Sequence, residues 1–287
     1  HARDMREVIE TESTIVTVAT GASKKIAAMP GLSSARWSPD GRSIAFLATA
    51  SGQSQLFVMP SDGGTPKQIT TAPHGVQQFA WSPDGKTFAF ATQDEPAPRD
   101  GFERHNQSFE ITPTTNYTMT APLLPTHVWI VPSAGGVMKR MTSGTWTLPV
   151  SRPPGPPSST LAWLKDGSGI AFARQGGAPA GPGGGGGVQV VTLAASKMTP
   201  LGGVNGTFPQ FAPIGDAILA IAGSNAVVTP APGGTAKNLT QAIDRGIARA
   251  TWMPDAKQVL VGGNDSERVS MWLAPADGGA AAKIDVG

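Results

Sequence analysis

Short apolar runs and turn-forming clusters alternate along the whole chain. Residues 43–46 and 87–90 read Ser-Ile-Ala-Phe and Thr-Phe-Ala-Phe, and residues 56–59 read Leu-Phe-Val-Met. Groups of Ser, Pro, Asp and Gly lie between such runs. Apolar and β-branched runs of this length, bounded by turn residues, are typical of β-strands. The pattern therefore predicts an all-β chain that is essentially without helix.

One turn sequence recurs at regular intervals. Trp-Ser-Pro-Asp-Gly occupies residues 37–41 and 81–85, and related sequences begin at Trp163, Phe211 and Trp252. The five sites are separated by 44, 82, 48 and 41 residues. A period in the forties is the signature of a β-propeller, in which each repeat forms one four-stranded blade. The longer second interval predicts an insertion within a blade.

The recurring turn has a physical basis in its residue types. Pro39 sets φ at the first central position, Asp40 caps the turn, and Gly41 accepts a positive φ. A short inner strand precedes this turn and a longer strand follows it. Since one repeat cannot bury both faces of its sheet alone, we expect neighbouring blades to stack on their Trp, Phe and Ile side chains.

The repeats predict a single propeller domain over residues 1–287. Residues 13–30 match only the outer half of a repeat and form a predicted N-terminal half-blade. In a closed propeller the missing inner half comes from another segment, which hides the sheet edges. The expectation is an incomplete propeller in the sequence as given. Five full blades are predicted, at about 33–71, 77–143, 159–201, 207–241 and 248–286.

Two segments interrupt the repeat. Residues 94–125 form an insertion between the second and third strands of the second blade, and a connection of this length in a compact domain is usually functional or disordered. Residues 176–187 are rich in Gly, Ala and Pro at the corresponding place in the third blade. No Gly-Lys-Ser/Thr follows them, so a flexible hairpin loop is favoured over a phosphate-binding loop.

Composition excludes several classes of function. The formal net charge is +2, which provides no basic surface for nucleic acid. The absence of cysteine removes disulfides, thiolate catalysis and Cys-based zinc sites, and is compatible with the cytoplasm or the periplasm. No apolar run approaches the roughly 18 residues that a membrane span requires. We expect neither a metal nor another cofactor.

Candidate catalytic chemistry is sparse in the chain. The sequence contains no Gly-x-Ser-x-Gly nucleophile elbow, so hydrolysis is not assigned to this chain itself. His127 begins a predicted strand and is interpreted as structural. One turn Asp per repeat, without the Asp-x-Asp-x-Asp spacing of a calcium loop, favours turn chemistry over metal binding.

The insertion carries the strongest candidate for recognition. Glu103, Arg104 and Glu110 lie in it beside Phe102 and Phe109. Charged groups flanked by aromatic residues, on a loop that projects from a rigid scaffold, form a plausible recognition element. The alternative is a solvated surface hairpin that its two Phe side chains attach to the blade. We select the three charged residues, by charge and location, as candidate substrate contacts.

The repeats resemble a known family. Trp-Ser-Pro-Asp-Gly-Lys-x-Phe/Ile-Ala-Phe, followed by Leu-Phe-Val-Met-Pro-x-x-Gly-Gly and Ile/Leu-Thr, resembles the propeller repeats of TolB-like proteins and of the prolyl oligopeptidase family over almost the whole chain. A finer similarity involves Pro-Thr-His-Val-Trp-Ile-Val-Pro-Ser-Ala-Gly-Gly at 125–136 and Lys-Arg-Met-Thr-Ser-Gly at 139–144. These stretches look like bacterial propellers of the acylaminoacyl-peptidase and dipeptidyl-peptidase type.

The resemblance implies a role beside a catalytic domain. In that family the propeller precedes an α/β-hydrolase domain with a Ser-Asp-His triad, covers the active site and limits substrates to short peptides. Some members also use acidic or Arg residues of the propeller to hold the peptide terminus, which here implies Glu103, Arg104 and Glu110. The present sequence lacks that hydrolase domain and a paired-glutamate motif, so release of N-terminal dipeptides is not implied.

A second interpretation remains open. A TolB-like periplasmic propeller binds a protein partner at its rim or central channel, which requires a complementary surface and no chemistry. Periplasmic or secreted location is favoured over cytoplasmic under these resemblances. An export signal with a small α/β domain ahead of His1 would favour the TolB-like interpretation, and a hydrolase domain after Gly287 would favour the peptidase interpretation.

Overall fold

The structure is a computed structural model, and all regular structure in its described part is β-strand. This observation confirms the predicted all-β class. No membrane-spanning helix is found within that part of the chain. The described residues are 10–17, 19–95, 124–144, 146–148, 159–174, 187–230, 233–243, 245–265 and 268–284.

The strands form one two-stranded sheet and five four-stranded sheets. The N-terminal sheet contains β1 (Glu10–Val16) and β2 (Ser23–Pro30). Blade 1 contains β3 (Ser33–Trp37), β4 (Ser43–Ala50), β5 (Gln53–Pro60) and β6 (Lys67–Gln68). Blade 2 contains β7 (Gln78–Trp81), β8 (Thr87–Gln93), β9 (Thr126–Pro132) and β10 (Lys139–Arg140). Blade 3 contains β11 (Ala162–Trp163), β12 (Gly169–Ala173), β13 (Gly187–Thr192) and β14 (Met198–Asn205). Blade 4 contains β15 (Thr207–Phe211), β16 (Ile218–Ala222), β17 (Asn225–Thr229) and β18 (Lys237–Asn238). Blade 5 contains β19 (Ile247–Trp252), β20 (Gln258–Asp265), β21 (Arg268–Pro275) and β22 (Ala282–Ile284).

Each blade is an antiparallel meander in chain order, as a β-propeller requires. The prediction of five four-stranded blades after an N-terminal half-blade is confirmed. The aromatic residue at the start of each repeated turn ends the innermost strand and pairs with the first apolar residue of the next strand. These pairs are Trp37 with Ile44, Trp81 with Phe88, Trp163 with Ile170, Phe211 with Ile218 and Trp252 with Val259.

Side-chain hydrogen bonds fix the repeated turn. The Ser82 hydroxyl donates to Asp84 Oδ1 at 2.6 Å, and the Lys86 N–H donates to the same oxygen at 3.0 Å. These bonds, the hydroxyl first, hold the pKa of Asp84 below its ordinary value. Gly85 takes a φ of +69°, whereas blade 5 places Ala256 at a φ of +57° in the equivalent position. The turn therefore explains the repeated Asp.

Along the second strand of a blade, successive side chains pack alternately against the preceding sheet and the following blade. In blade 1, Ile44 and Phe46 pack against the N-terminal sheet, whereas Ala45 and Leu47 pack against blade 2. All four are buried. In blade 4, Leu219 packs in the same way against blade 5. The core of the protein is thus a series of layers between blades, in agreement with the expected stacking.

A tryptophan indole also links neighbouring blades. Trp163 Nε1–H donates to the Ala80 carbonyl of blade 2 at 3.1 Å, and Trp252 Nε1–H donates to the Gln210 carbonyl of blade 4 at 3.2 Å. Trp81 Nε1 lies 3.4 Å from the Arg36 carbonyl of blade 1. In each case the acceptor directly precedes the aromatic residue of the previous blade.

A threonine after the outer strand holds the third strand of the same blade. In each of three blades its hydroxyl accepts a hydrogen bond from a buried backbone N–H near the start of that strand, at 2.9–3.0 Å. The same hydroxyl also bonds to the side chain of the residue that directly precedes the N–H donor. The three Thr and their N–H donors are Thr70 with Leu56, Thr142 with Val128, and Thr240 with Ala226.

Candidate functional site

The connections between strands divide the propeller into two ends. Successive connections in an antiparallel meander alternate between the ends, so the link between the second and third strands lies on the same side as the link to the next blade. We call this side the loop end, and the side of the repeated turns the turn end. Connections 38–42, 82–86 and 164–168 belong to the turn end and are short.

The long connections all belong to the loop end. They are residues 94–125 between β8 and β9, 141–161 between blades 2 and 3, and 174–186 between β12 and β13. The two insertions noted in the sequence therefore both begin and end at the loop end, where only their flanking residues are described. Rigid strands that present long loops on one side are a common scaffold for binding sites.

The three predicted contact residues lie outside the described residues. Glu103, Arg104 and Glu110 belong to the segment 96–123, of which only the flanking residues are described. The insertion leaves the blade at Asp94 and returns at Pro125, and the Asp94 N–H donates to the Pro125 carbonyl at 2.8 Å. Both ends of the insertion therefore lie at the loop end of blade 2, and we call Asp94 and Pro125 the root of the insertion.

An ion pair fixes the root of the insertion. Arg140 on the outermost strand donates from Nη2 to Asp94 Oδ2 at 2.9 Å and from Nε to the Thr142 carbonyl at 2.7 Å. Both side chains are partly exposed, so the pair contributes little to stability by itself. Its geometric effect is to tie the first residue of the insertion to the far edge of the blade.

His127 supports this root from within the blade. The Thr142 hydroxyl accepts the Val128 N–H at 2.9 Å and lies 3.2 Å from His127 Nδ1. Since the Gly144 carbonyl can only accept, His127 Nε2 carries a proton and donates to it at 3.1 Å, with Asp94 Oδ2 at 3.4 Å. In the neutral imidazole Nδ1 is therefore the acceptor of the Thr142 hydroxyl. Burial, followed by the charge of Arg140, lowers the pKa of His127 below 6.5, against the opposing effects of Asp94 and the Gly144 carbonyl.

The position of His127 agrees with a structural role. Gln55 and Asn225 occupy the equivalent place in blades 1 and 4, and each accepts the Thr hydroxyl of its own blade at 2.8 and 3.3 Å. The imidazole also contacts Trp146 edge-on, with 4.9 Å between the ring centroids. Trp146 in turn stacks on Phe172 of blade 3, with 5.4 Å between the ring centroids. His127 therefore joins the root of the insertion to the layer between blades 2 and 3.

A cavity of about 420 Å³ opens beside the root, between blades 1 and 2. Its lining is mainly apolar. This volume is within the range of small-molecule and side-chain sites. The apolar lining residues are Ala72, Pro73, Phe90, Trp129 and Met138, and the polar ones are His74, Thr92, Gln93, Asp94, Glu95 and Arg140.

Trp129, one of the lining residues, has a buried indole N–H. The Nε1–H of Trp129 is buried and has no acceptor among the described residues. A buried donor without a partner costs about 1–3 kcal/mol. The mainly apolar lining beside the insertion makes this cavity a candidate binding site at the loop end.

Two other cavities are more polar. One of about 660 Å³ lies at the loop end between blades 4 and 5, beside Asn225 and Arg245. Another of about 460 Å³ lies at the turn end between the turns that contain Asp40 and Asp84. Both carboxylates are already used within their turns. No group of three His, Asp or Glu side chains is arranged for a metal ion in the described part of the chain.

The comparisons with known proteins agree with the fold and name a peptidase. No protein-family model matches the chain. A stretch of 44 residues is 45% identical to YuxL, an uncharacterised peptidase of Bacillus subtilis; it spans 15% of this chain and 7% of that protein. The match is thus strong but local, and most of the relative lies outside it.

Solved structures match nearly the whole propeller. Acylaminoacyl peptidase of Pyrococcus horikoshii aligns over 97% of this chain and 42% of its own, with a TM-score of 0.63 and 16% identity. A TolB-like protein of Agrobacterium tumefaciens aligns over 96% of this chain and 88% of its own, with a TM-score of 0.61 and 17% identity. At these identities the similarity shows the propeller fold alone.

Sequence reasoning missed the root of the insertion. It identified the insertion and the Arg-Met-Thr motif at 140–142, but it did not connect Arg140 with Asp94, which lies 46 residues earlier. It also did not recognise that Thr142 bonds to His127. The signal in the sequence was an apolar residue followed by Thr at the end of three repeats. In each of these repeats the Thr hydroxyl accepts a hydrogen bond from a backbone N–H of the third strand.

Proposed function

We propose that this chain is the non-catalytic propeller region of a serine peptidase, where it orients and gates short peptides for a hydrolase domain. The observation that carries the proposal is the placement of all long connections at one end of a propeller whose fold matches acylaminoacyl peptidase. The 45% identity over 44 residues to a protein named as a peptidase supports it. Without a nucleophile elbow, the chain itself supplies no hydrolytic chemistry.

In this proposal the loop end faces the hydrolase domain. At the turn end the repeated turns are short, and Asp40 and Asp84 beside the cavity there are already used in local hydrogen bonds. The loop end instead offers long connections and the cavity between blades 1 and 2. A peptide that enters from this side meets the insertion before it reaches the active site.

The insertion provides the charged contacts in this proposal. Glu103, Arg104 and Glu110 hold a peptide terminus, and the Asp94–Arg140 pair fixes the first residue of the segment that carries them. Truncation of one partner in a desolvated charge contact costs about 2–5 kcal/mol. A loss of about 1.4 kcal/mol corresponds to a tenfold decrease in rate.

The test is alanine substitution of each charged residue in the full-length polypeptide. Glu103→Ala, Arg104→Ala or Glu110→Ala should lower kcat/KM for short peptides by roughly tenfold or more, with nearly unchanged thermal stability. Lys86→Ala, an exposed charge at the turn end, is the matched control and should leave kcat/KM unchanged. If all three variants equal wild type, the insertion is a surface hairpin and the assignment of these residues is wrong.

A TolB-like binding module is the second candidate function. The similarity in fold to a TolB-like protein of Agrobacterium tumefaciens, with a TM-score of 0.61, supports it. Such a propeller would bind a protein partner at its rim or channel, in the periplasm, and would need no hydrolase domain. Saturable binding of a purified envelope lipoprotein, with no peptide turnover by the full-length polypeptide, would favour this alternative over the peptidase.

A further inference from the structure

A pair of polar side chains accompanies the Thr that follows the outer strand in three of the blades. One member lies near the start of the third strand and directly precedes the residue whose N–H the Thr hydroxyl accepts. The other member lies two residues before the Thr. The pairs are Gln55 and Gln68 in blade 1, His127 and Arg140 in blade 2, and Asn225 and Asn238 in blade 4.

In blades 1 and 2 both members of the pair donate to backbone carbonyls at the loop end. Gln55 Nε2 donates to the Ala72 carbonyl at 2.8 Å, and Gln68 Nε2 donates to the Thr70 carbonyl at 2.7 Å. Blade 2 contains the same two bonds, from its imidazole and its guanidinium. The accepting carbonyls lie in the link to the next blade. These side chains therefore direct hydrogen-bond donors to the backbone of their own blade.

Blade 4 has Asn at both positions, and Asn is one methylene group shorter than Gln. Asn238 Oδ1 accepts the Thr240 N–H at 2.9 Å, and Asn225 Oδ1 accepts the Thr240 hydroxyl at 3.3 Å. The Thr240 carbonyl accepts the Ile243 N–H at 2.9 Å instead of a side chain. Both amide oxygens are thus used, whereas neither amide NH2 group donates to an acceptor among the described residues. Blade 4 therefore keeps unused donors at a place where blades 1 and 2 use theirs.

Both Asn side chains line the cavity of about 660 Å³ between blades 4 and 5. Three exposed polar side chains also line it, namely Ser224, Gln241 and Arg245. Hydroxyl, amide and guanidinium groups all donate hydrogen bonds, and the guanidinium keeps its positive charge. Among the described residues that line the cavity none is Asp or Glu. The cavity is therefore rich in donors and contains a cationic side chain.

Backbone hydrogen bonds hold the link that borders this cavity. The Arg245 N–H donates to the Ile243 carbonyl at 2.7 Å, and the Ile247 N–H donates to the Ser224 carbonyl at 2.9 Å. The second bond ties the start of blade 5 to the connection between the second and third strands of blade 4. A lining that is already ordered lowers the entropy cost of binding a ligand.

We propose that this cavity binds a small molecule through an oxyanion group, either a carboxylate or a phosphate. The NH2 groups of Asn225 and Asn238 donate to its oxygens, and Arg245 attracts its charge. Hydrogen bonds to an ionised acceptor are about twice as strong as those between neutral groups, so an oxyanion gains more from these donors than a neutral ligand does. A metal cation is disfavoured, because the described lining provides no carboxylate. The site belongs to blades 4 and 5 and does not depend on the proposed peptidase role.

The first test follows the side-chain NH2 signals of Asn225 and Asn238 by NMR during titration of the protein. Citrate and inorganic phosphate are the two probes, and sodium chloride keeps the ionic strength constant so that screening does not change. Saturable shifts of both signals with citrate alone assign a carboxylate ligand, and with phosphate alone a phosphate ligand. Saturable shifts with both probes support the shared oxyanion chemistry. If neither probe shifts these signals, the proposal is wrong.

Two substitutions remove the donors and preserve the fold of the link. Asn238→Asp retains the oxygen that accepts the Thr240 N–H, replaces the NH2 group and adds a negative charge. Asn225→Gln introduces the residue found at Gln55, whose NH2 group donates to a backbone carbonyl of the link. Each should weaken binding of the effective probe by about tenfold or more, because a hydrogen bond to a charged group is lost. Tm should stay nearly unchanged in both variants.

Asn264→Asp is the matched control. Asn264 is exposed on β20 and is not among the lining residues, so the substitution makes the same change in net charge outside the site. It should bind the probe as wild type does. If Asn238→Asp binds as tightly as Asn264→Asp, the oxyanion is held elsewhere and the proposal is overturned. If Asn238→Asp folds poorly, Asn225→Gln decides in its place, and an affinity equal to wild type overturns the proposal as well.

Discussion

Replacement of Thr142 by Val tests the hydrogen-bond chain beneath the insertion. The Thr142 hydroxyl accepts the buried Val128 N–H and donates to His127, and the side chain is 5% exposed. Val has nearly the same shape, so the substitution removes the two hydrogen bonds and preserves the packing.

The structure sets the expected magnitude. A buried N–H left without an acceptor costs about 1–3 kcal/mol, and the lost bond to His127 costs about 0.5–1.5 kcal/mol. The additional methyl group of Val offsets about 0.8 kcal/mol. Thr142→Val should therefore lower the free energy of unfolding by about 2–3 kcal/mol. Thr142→Ser retains the hydroxyl, loses one methyl group, and should cost about 1 kcal/mol.

Urea unfolding followed by tryptophan fluorescence measures both changes. The chain contains seven Trp, so the emission follows unfolding of the whole propeller, and Trp146 is the one in contact with His127. Thr240→Val in blade 4 is an independent repeat of the experiment, because its hydroxyl accepts the Ala226 N–H in the same geometry. If Thr142→Val costs no more than Thr142→Ser, the hydroxyl does not hold the third strand and the reasoning is wrong.

Three further predictions concern the repeats. Burial lowers the pKa of His127, so its contribution to stability is complete above pH 6.5 and is lost as pH falls below that value; His127→Gln, which introduces the residue found at Gln55, should reduce this loss in unfolding experiments between pH 8 and 5. Hydrogen bonds lower the pKa of Asp84, so the stability it provides is present above pH 3.8 and lost as pH falls below that value; in acid titrations Asp84→Asn should show a smaller loss, and an equal loss would contradict the turn geometry. Ala256→Gly should raise the free energy of unfolding by about 0.5–1 kcal/mol, because it relieves a positive φ, whereas Gly85→Ala should lower it; opposite signs in urea unfolding would refute this explanation.

The fold was predictable because its information is local and repeated. Trp-Ser-Pro-Asp-Gly marks an inner strand, a tight turn and the next strand within a few residues, and the structure places Trp37 and Trp81 at equivalent positions. The 51% exposure of Trp37 was not predictable in this way, since the pentapeptide that begins at Trp37 is identical to the one that begins at Trp81. The difference depends on which strand lies in front of the blade.

The candidate site was less predictable because its contacts span the insertion. Asp94 and Arg140 meet across 46 residues, and no local pattern specifies that contact. The interpretation of His127 as structural agrees with its two hydrogen bonds inside the blade, whereas its proximity to Asp94 required the structure. Glu103, Arg104 and Glu110 remain predictions, since they lie outside the described residues.

The measurement that tests the central claim most directly is labelling by a serine-directed fluorophosphonate. The full-length polypeptide and the 287-residue chain are treated in parallel, and hydrolysis of a short chromogenic peptide is followed in the same samples. The account predicts labelling and inhibitor-sensitive turnover only in the full-length polypeptide, because the propeller contains no nucleophile elbow. Labelling of the 287-residue chain with loss of an intrinsic activity, or the absence of both labelling and turnover from the full-length polypeptide, would contradict it.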